Sequence, residues 1–202
     1  MLKLREEELN AKYLLEKLVY KGRRFFNVDK PDIRDAKGKI GVEHRMVTTT
    51  DAMLMEKYLE HMDLEAEGLP GGKLGALLLE NELLDTDGDK REKSWKLKLL
   101  ELGVREKLEK LNEGGYDTFP QNELFLTMRE YQVTDGLAGA LAELLPSIQQ
   151  RYVFHFDRVY LFGPNDLYII ENRSVVDKIP LHQDLLIEME ENTKTEMQKH
   201  GR

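Results

Sequence analysis

The sequence lacks cysteine and long apolar runs. Among its 202 residues there is no cysteine, which excludes disulfides, thiolate metal sites and cysteine nucleophiles. No stretch approaches the roughly 18 to 20 consecutive apolar residues that span a bilayer. The first residues, MLKLREEELNAKY, lack the apolar segment of a secretory signal. These absences predict a cytoplasmic protein with no membrane partner.

Motifs of several common enzyme classes are also missing. The chain contains no GxxxxGK[ST] phosphate loop, no GxGxxG dinucleotide fingerprint, no GxSxG nucleophile elbow and no HExxH zinc motif. The sequence therefore gives no support for a nucleotide-binding protein, an α/β-hydrolase or a zinc protease of these kinds.

Charge is unevenly distributed along the chain. The net charge of -8 argues against a protein that coats nucleic acid by bulk attraction, because such proteins are usually basic. A local basic groove remains compatible with this total, since steering depends on where the charges lie. Lys and Arg cluster in KGRRFF (21–26) and DKREKSWKLK (89–98). The alternative interpretation of both clusters is an ordinary solvated surface.

Helical and extended patterns alternate along the chain. Apolar residues at three- and four-residue steps predict a helix over 4–20. An extended segment at 24–35, a turn at 36–39 and a strand from residue 40 predict a hairpin. A helix should follow it. Further elements are predicted at 93–111 (helix), 122–129 (strand), 135–152 (helix, ended or kinked near Pro146), 156–162 and 166–171 (strands). This order predicts the α/β class, with a mixed central sheet flanked by helices.

The chain is expected to form a single domain over residues 1–202. The loop signals EGLPGGKLG and DTDGDK interrupt the pattern and predict a helical and loop insertion at about 63–92. From about residue 185 the sequence becomes a polar C-terminal tail, interpreted as a loosely held helix.

The stretch KPDIRDAKGKIGVEHRMV (30–47) places ionisable residues within apparent strands. Strand side chains alternate between faces, so Glu43 and Arg45 should project together, opposite Val42 and His44. If the preceding segment pairs across the turn, Asp32 can reach the same face. Two carboxylates beside a cation form a reasonable site for a hard divalent metal such as Mg²⁺.

These residues resemble the PD-(D/E)XK nuclease superfamily. The likeness lies in PD, ten residues and then E-H-R, on a hairpin behind an acidic N-terminal helix. The later segments REKLEKLNEGGYDTFPQNELFL and FDRVYLFGPNDLYIIE also resemble small members of that superfamily, so the likeness covers most of the chain outside the insertion. It implies a restriction-endonuclease-like core that hydrolyses nucleic acid, with DNA as the expected partner and Mg²⁺ or Mn²⁺ as the cofactor.

The resemblance also implies residue roles. Asp32 and Glu43 would be the metal carboxylates, and the main-chain carbonyl of His44 a further ligand. A glutamate of the first helix would complete the site; Glu8 is preferred and Glu7 is its rival.

Arg45 occupies the position where the superfamily carries lysine. Arginine can orient water or stabilise phosphate charge, but it cannot lose its proton and act as a base. A lysine from elsewhere would then be needed, and Lys57 on the following helix is the predicted source.

Each of these residues has a structural alternative. Asp32 follows a proline and can simply form a turn, Arg45 can belong to a structural ion pair, and Glu8 can lie on a solvated helix face. The His44 side chain, on the apolar face, is better explained as a core histidine. The alternative function is a catalytically silent binding module with the same fold, associated with a prophage or a defence system.

Overall fold

Seven strands and four helices make up the part of the chain that the computed structural model describes, residues 5–48, 88–114 and 117–200. The helices are α1 (Glu6–Leu14), α2 (Gly88–Asn112), α3 (Asp135–Gln149) and α4 (Gln183–His200), and a π-helical turn (Leu15–Val19) continues α1. The strands are β1 (Phe25–Asn27), β2 (Ile33–Asp35), β3 (Ile40–Met46), β4 (Gln121–Thr127), β5 (Arg158–Phe162), β6 (Asp166–Glu171) and β7 (Ser174–Pro180). Lys57, the helix predicted after the hairpin and residues 63–87 of the predicted insertion lie outside the described residues.

The strands form one sheet whose spatial order follows the chain, β1 to β7. β3, β4 and β5 are mutually parallel, and all other neighbours are antiparallel. Parallel neighbours need a crossover connection. α2 precedes β4 and α3 connects β4 to β5, so both lie in these crossovers. The predicted α/β class with a mixed central sheet is confirmed.

A hydrophobic core lies on each face of the sheet. One core is formed by α2, α3 and strand residues such as Leu124 and Leu126. The other is formed by α1, α4 and strand residues such as Phe125 and Tyr160. The alternation of neighbouring residues between the two cores follows the two-residue period of a strand. Among the described helices, none is long and apolar enough to cross a membrane.

The first strands differ from the prediction. The segment predicted as one extended stretch at 24–35 folds back on itself, and β1 pairs antiparallel with β2, with Asn27 opposite Ile33. Pro31 lies in the turn between them, because its ring nitrogen cannot donate to a strand ladder. β1, β2 and β3 therefore form a three-stranded antiparallel meander, with β1 at one edge of the sheet.

The C-terminal third differs as well. β7 was not predicted, since most of its residues are exposed and Asp177 and Lys178 hide any apolar alternation. α3 continues through Pro146 to Gln149. The polar tail forms α4, which is fixed against α1: Met189 is buried, and the buried Thr193 hydroxyl donates a hydrogen bond to the Asn10 side-chain oxygen at 2.7 Å.

Gly41 permits a close approach between β3 and the loop before β4, which yields a first prediction. A Cβ atom at position 41 would lie 2.4 Å from the Phe119 ring, so Gly41→Ala should lower the free energy of unfolding by about 1–3 kcal/mol through overpacking. The matched control is Gly139→Ala in α3, where a Cβ atom meets nothing and should stabilise the helix by about 0.5–1 kcal/mol. Urea unfolding measures both. Equal stability of the Gly41→Ala variant and the wild type would contradict the close packing.

Candidate active site

Asp32 and Glu43 lie side by side where β2 begins. Ile33 pairs with Val42 in the antiparallel β2–β3 ladder, which brings the preceding residue, Asp32, next to Glu43. The Oδ2 atom of Asp32 accepts a hydrogen bond from the main-chain N–H of His44 at 2.7 Å. This bond fixes the Asp32 carboxylate to the strand that carries Glu43.

A buried lysine bridges these two carboxylates. Lys107 of α2 donates hydrogen bonds to Asp32 Oδ2 at 3.0 Å and to Glu43 Oε2 at 2.9 Å. Because both oxygens contact the same nitrogen, they are at most about 6 Å apart. The side chains of Glu43 and Lys107 are only 3% and 8% exposed. The site therefore contains a cation held tightly between two acids.

Lys107 was not among the residues predicted from sequence. Its signal lies in the spacing of α2, where the buried residues Leu100, Val104, Leu108 and Leu111 mark an apolar stripe at steps of three and four. Lys107 falls on this stripe, so it had to face the sheet. A lysine on the inward face of an amphipathic helix needs a buried acid as its partner, and that requirement could have identified it.

Glu8 reaches the site from α1, which packs on the opposite face of the sheet from α2. Its side chain is buried, whereas the neighbouring Glu7 is half-buried. Burial, followed by the negative charge of Asp32, raises the pKa of Glu8 to about 7, and the cations Arg5 and Lys107 only partly oppose this. The helix thus brings one carboxyl group, Glu8, into electrostatic contact with Asp32.

Three carboxyl groups compete for one ammonium group. Burial raises the pKa of Glu43 to about 7, although Lys107 opposes the shift. For Lys107, burial acts to lower the pKa, but the carboxylates of Glu43 and Asp32 outweigh it and hold the pKa above its ordinary value. Lys107 is therefore charged at neutral pH, and three carboxyl groups lie around its single ammonium.

The His44 side chain points away from this cluster. Its Nε2 atom lies 2.9 Å from the Thr127 hydroxyl, and its ring centre lies 6.2 Å from that of Phe125. Burial lowers the pKa of His44 to about 3, so the ring is neutral. The N–H and C=O groups of one strand residue point to the same edge. The His44 carbonyl is thus expected on the Asp32 side, where it was predicted to act as a ligand.

Arg45 lies on the same face as Glu43, as the strand alternation predicts. Its Nε atom is 3.1 Å from Glu106 Oε2, and its Cγ atom is 3.3 Å from the position that a Cβ atom would take at Gly103. Both residues belong to α2, so Arg45 packs against the helix that supplies Lys107. Arg45 pairs with Glu106, and Lys107 is the cation between the two site carboxylates.

A second buried carboxylate, Glu123, provides a comparison. Its Oε1 atom accepts hydrogen bonds from the Tyr20 hydroxyl at 2.5 Å and from the Gln121 amide at 2.6 Å, and its Oε2 atom accepts one from the Tyr160 hydroxyl at 3.0 Å. Both oxygens are thus satisfied, as expected of a structural group. Glu43 differs, because its Oε1 atom is buried and has no hydrogen-bond partner in the described part of the chain.

The donor set fits a hard divalent cation if Lys107 moves aside. Among the described residues, no three His, Asp or Glu side chains are gathered closely enough to hold a metal ion, and the Lys107 ammonium stands between Asp32 and Glu43. Yet the nearby groups are carboxylate oxygens, the ligands that Mg²⁺ prefers, and the unpartnered Glu43 Oε1 atom has spare acceptor capacity. The roles of Asp32, Glu43, His44 and Glu8 as ligands stay predictions.

Comparison with protein-family models, with curated proteins and with solved structures finds no match to this chain.

The raised pKa of Glu8 yields a second prediction. Between the ordinary pKa of 4.5 and about 7, the folded state holds a proton that the unfolded state has released. The stability contributed by Glu8 therefore falls as pH rises through this window. Glu8→Gln never acquires the buried charge. Its free energy of unfolding should match that of the wild type near pH 4.5 and exceed it by up to about 3 kcal/mol at pH 8.

Urea unfolding at the two pH values measures this difference. Glu7→Gln, one residue earlier and half-buried, is the matched control and should show no such pH dependence. If the Glu8→Gln variant and the wild type keep the same difference in stability at pH 4.5 and pH 8, Glu8 does not carry a destabilising buried charge.

Proposed function

We propose that this protein is a cytoplasmic, metal-dependent nuclease of the PD-(D/E)XK type. It has a restriction-endonuclease-like core and hydrolyses phosphodiester bonds of DNA with Mg²⁺ or Mn²⁺. The observation that carries the proposal is the convergence of Asp32, Glu43 and Lys107 within hydrogen-bond distance, with Glu8 beside them. The sequence resemblance requires an aspartate, a glutamate and a lysine together, and Lys107 supplies the lysine that position 45 lacks.

Asp32, Glu43 and the His44 carbonyl are the proposed metal ligands, and Glu8 completes the acidic side of the site. When bound, the divalent cation would supply a Lewis acid that polarises the scissile phosphate. The gathering of three carboxyl groups around one ammonium supports this assignment, because a bound divalent cation would favour the ionised forms of Glu8 and Glu43, whose pKa values burial raises.

Lys107 and Arg45 are the proposed phosphate-facing cations. An ammonium or guanidinium aimed at the phosphoryl oxygens stabilises the charge that develops on them during hydrolysis. Lys107 differs from Arg45 because a lysine can give up its proton when its surroundings change, whereas arginine effectively cannot. The carboxylates of Glu43 and Asp32 raise the pKa of Lys107. While Lys107 bridges them, its ammonium therefore keeps its proton and contributes a positive charge to the site.

The alternative function is the silent binding module, and one observation favours it. The Lys107 ammonium neutralises both Asp32 and Glu43 by direct contact. A substitution that leaves a cation permanently between two former ligands is one way in which a metal site can become structural. The two functions differ in whether Lys107 releases the carboxylates when a divalent cation is present.

Magnesium-dependent cleavage is the third prediction. On a fluorogenic panel of single- and double-stranded DNA, the wild type should cut in a Mg²⁺ titration. Asp32→Asn and Glu43→Gln should each lose on the order of a hundredfold or more in rate, as expected when a ligand or a preorganised charge is removed. Lys107→Met should lose cleavage to a similar extent.

Two controls match these variants in type and position. Asp29→Asn changes an exposed aspartate three residues before Asp32, and Lys110→Met changes a partly exposed lysine one turn after Lys107 on α2. Both should cut like the wild type. Metal-independent DNA binding without cleavage, in the wild type and all variants alike, would favour the binding module and overturn the nuclease.

A further inference from the structure

A row of side chains crosses the first strands on the same face as Glu43. Phe26 of β1 lies opposite Arg34 of β2, Arg34 lies opposite Gly41 of β3, and Gly41 lies beside Asn122 of β4. Directly paired residues point to the same face of a sheet. Glu43 is two residues beyond Gly41, so it shares this face.

The β1–β2 end of this row is open to solvent. Helix α2 packs over β3 and β4, where Leu124 and Leu126 are fully buried. Beyond this cover, Phe26 is 45% exposed and Arg34 is exposed. In the part of the chain that the structure describes, the Arg34 side chain makes neither a hydrogen bond nor an ion pair. An exposed phenylalanine beside an unpaired arginine is a surface suited to a ligand.

Phe119 adds a second aromatic ring to the row, and contacts with Gly41 and Asn122 fix its position. The ring lies against Gly41 so closely that a Cβ atom there would be 2.4 Å from it. The side chain of Asn122 holds Phe119 in place: its Oδ1 accepts from the Phe119 N–H and its Nδ2 donates to the Phe119 carbonyl, both at 3.1 Å. Phe119 is itself only half-buried. We call Phe26, Arg34 and Phe119 the aromatic strip.

The aromatic strip runs alongside the candidate active site. Arg34 is two residues after Asp32, and Gly41 is two residues before Glu43. Two residues span about 6.6 Å along a strand. The aromatic strip therefore lies about 6.6 Å along the strands from the Asp32–Glu43 pair. A nucleic-acid strand bound at that pair would extend over the strip.

The segment that contains β1, β2 and β3 carries an excess of positive charge, which suits a polyanionic ligand. Residues 21–46 contain eight Lys or Arg and four Asp or Glu, in a chain whose net charge is -8. Of the four acids, Asp32 and Glu43 belong to the candidate site and Asp35 is buried. The segment that carries Phe26 and Arg34 is thus basic, within a chain that is acidic overall.

We propose that the aromatic strip binds a single-stranded nucleic-acid segment that flanks the scissile phosphate. This inference rests on the proposed nuclease function and names its substrate class. The exposed Phe26 and the half-buried Phe119 offer ring faces on which unpaired bases can stack, and the planar fork of Arg34 matches a phosphate between them. A duplex cannot use the strip in this way, because its bases are already stacked inside the helix.

The test is binding without cleavage, in the Glu43→Gln background. Fluorescence anisotropy with a labelled oligothymidine and a hairpin duplex gives the two affinities. Phe26→Ala and Phe119→Ala should each weaken single-strand binding about 5- to 100-fold, as alanine substitution of a stacking aromatic does. Arg34→Ala should weaken it and lower the slope of log affinity against log salt by about one. Duplex binding should change less than twofold.

Two control variants and one conservative variant show whether weaker binding comes from the strip itself and not from a general loss of charge, of apolar surface or of folding. Val176→Ala, on the strand at the opposite edge of the sheet, and Lys194→Ala, an exposed residue of α4, should leave single-strand binding unchanged. Phe119→Leu keeps the apolar cover over Gly41 while removing the aromatic face, and should weaken binding in a folded protein.

Each outcome separates this inference from the nuclease assignment. If the wild type cuts DNA but the strip variants bind the single strand within twofold of their parent, the strip is overturned and the nuclease stands. If the strip variants weaken duplex binding as much as single-strand binding, the single-strand assignment is overturned. If the parent binds no single strand and the wild type cuts nothing, both proposals fail.

Discussion

The contact of the Lys107 ammonium with Asp32 and Glu43 is the interaction on which the site depends. It joins helix α2 to the turn before β2 and to strand β3, which lie 75 and 64 residues earlier in the sequence. The buried Lys107 and Glu43 and the partly buried Asp32 are stable only together, because removal of one partner leaves an uncompensated charge in a poorly solvated place. The same contact holds α2 over β3. Arg45 packs against α2, and the face of the sheet that α2 leaves uncovered begins at β2.

The remaining carboxylates show which buried charges are structural. Glu123 is buried as deeply as Glu43, but hydroxyl and amide donors satisfy both of its oxygens. Glu43 keeps an oxygen with no hydrogen-bond partner among the described residues, and Glu8 lies 3.6 Å from the exposed Arg5 while it faces the like charge of Asp32. A fold selected for stability alone has no reason to keep such groups, because their burial raises their pKa and lowers the stability of the charged state. Binding sites regularly retain this kind of cost.

Local patterns were sufficient for much of the site and insufficient for its lysine. The two-residue period of IGVEHRMV placed Glu43 and Arg45 on one face, and helical spacing favoured Glu8, which is buried, over Glu7. Lys107 required a non-local fact: that α2 is the helix that packs over β3. The predicted source, Lys57, lies outside the described residues. The same limit explains why β1 and β2 were joined into one segment and β7 was missed, since short or exposed strands carry almost no apolar alternation.

Binding of Mn²⁺, followed by electron paramagnetic resonance, tests most directly whether Lys107 occupies a cation site. If its ammonium competes with a metal for Asp32 and Glu43, Lys107→Met should bind one Mn²⁺ at least about tenfold more tightly than the wild type, because a like charge has been removed from the site. Addition of Asp32→Asn to that variant should abolish the binding, and Lys110→Met should behave like the wild type. A Lys107→Met protein that binds Mn²⁺ no better than the Lys110→Met protein would contradict the account.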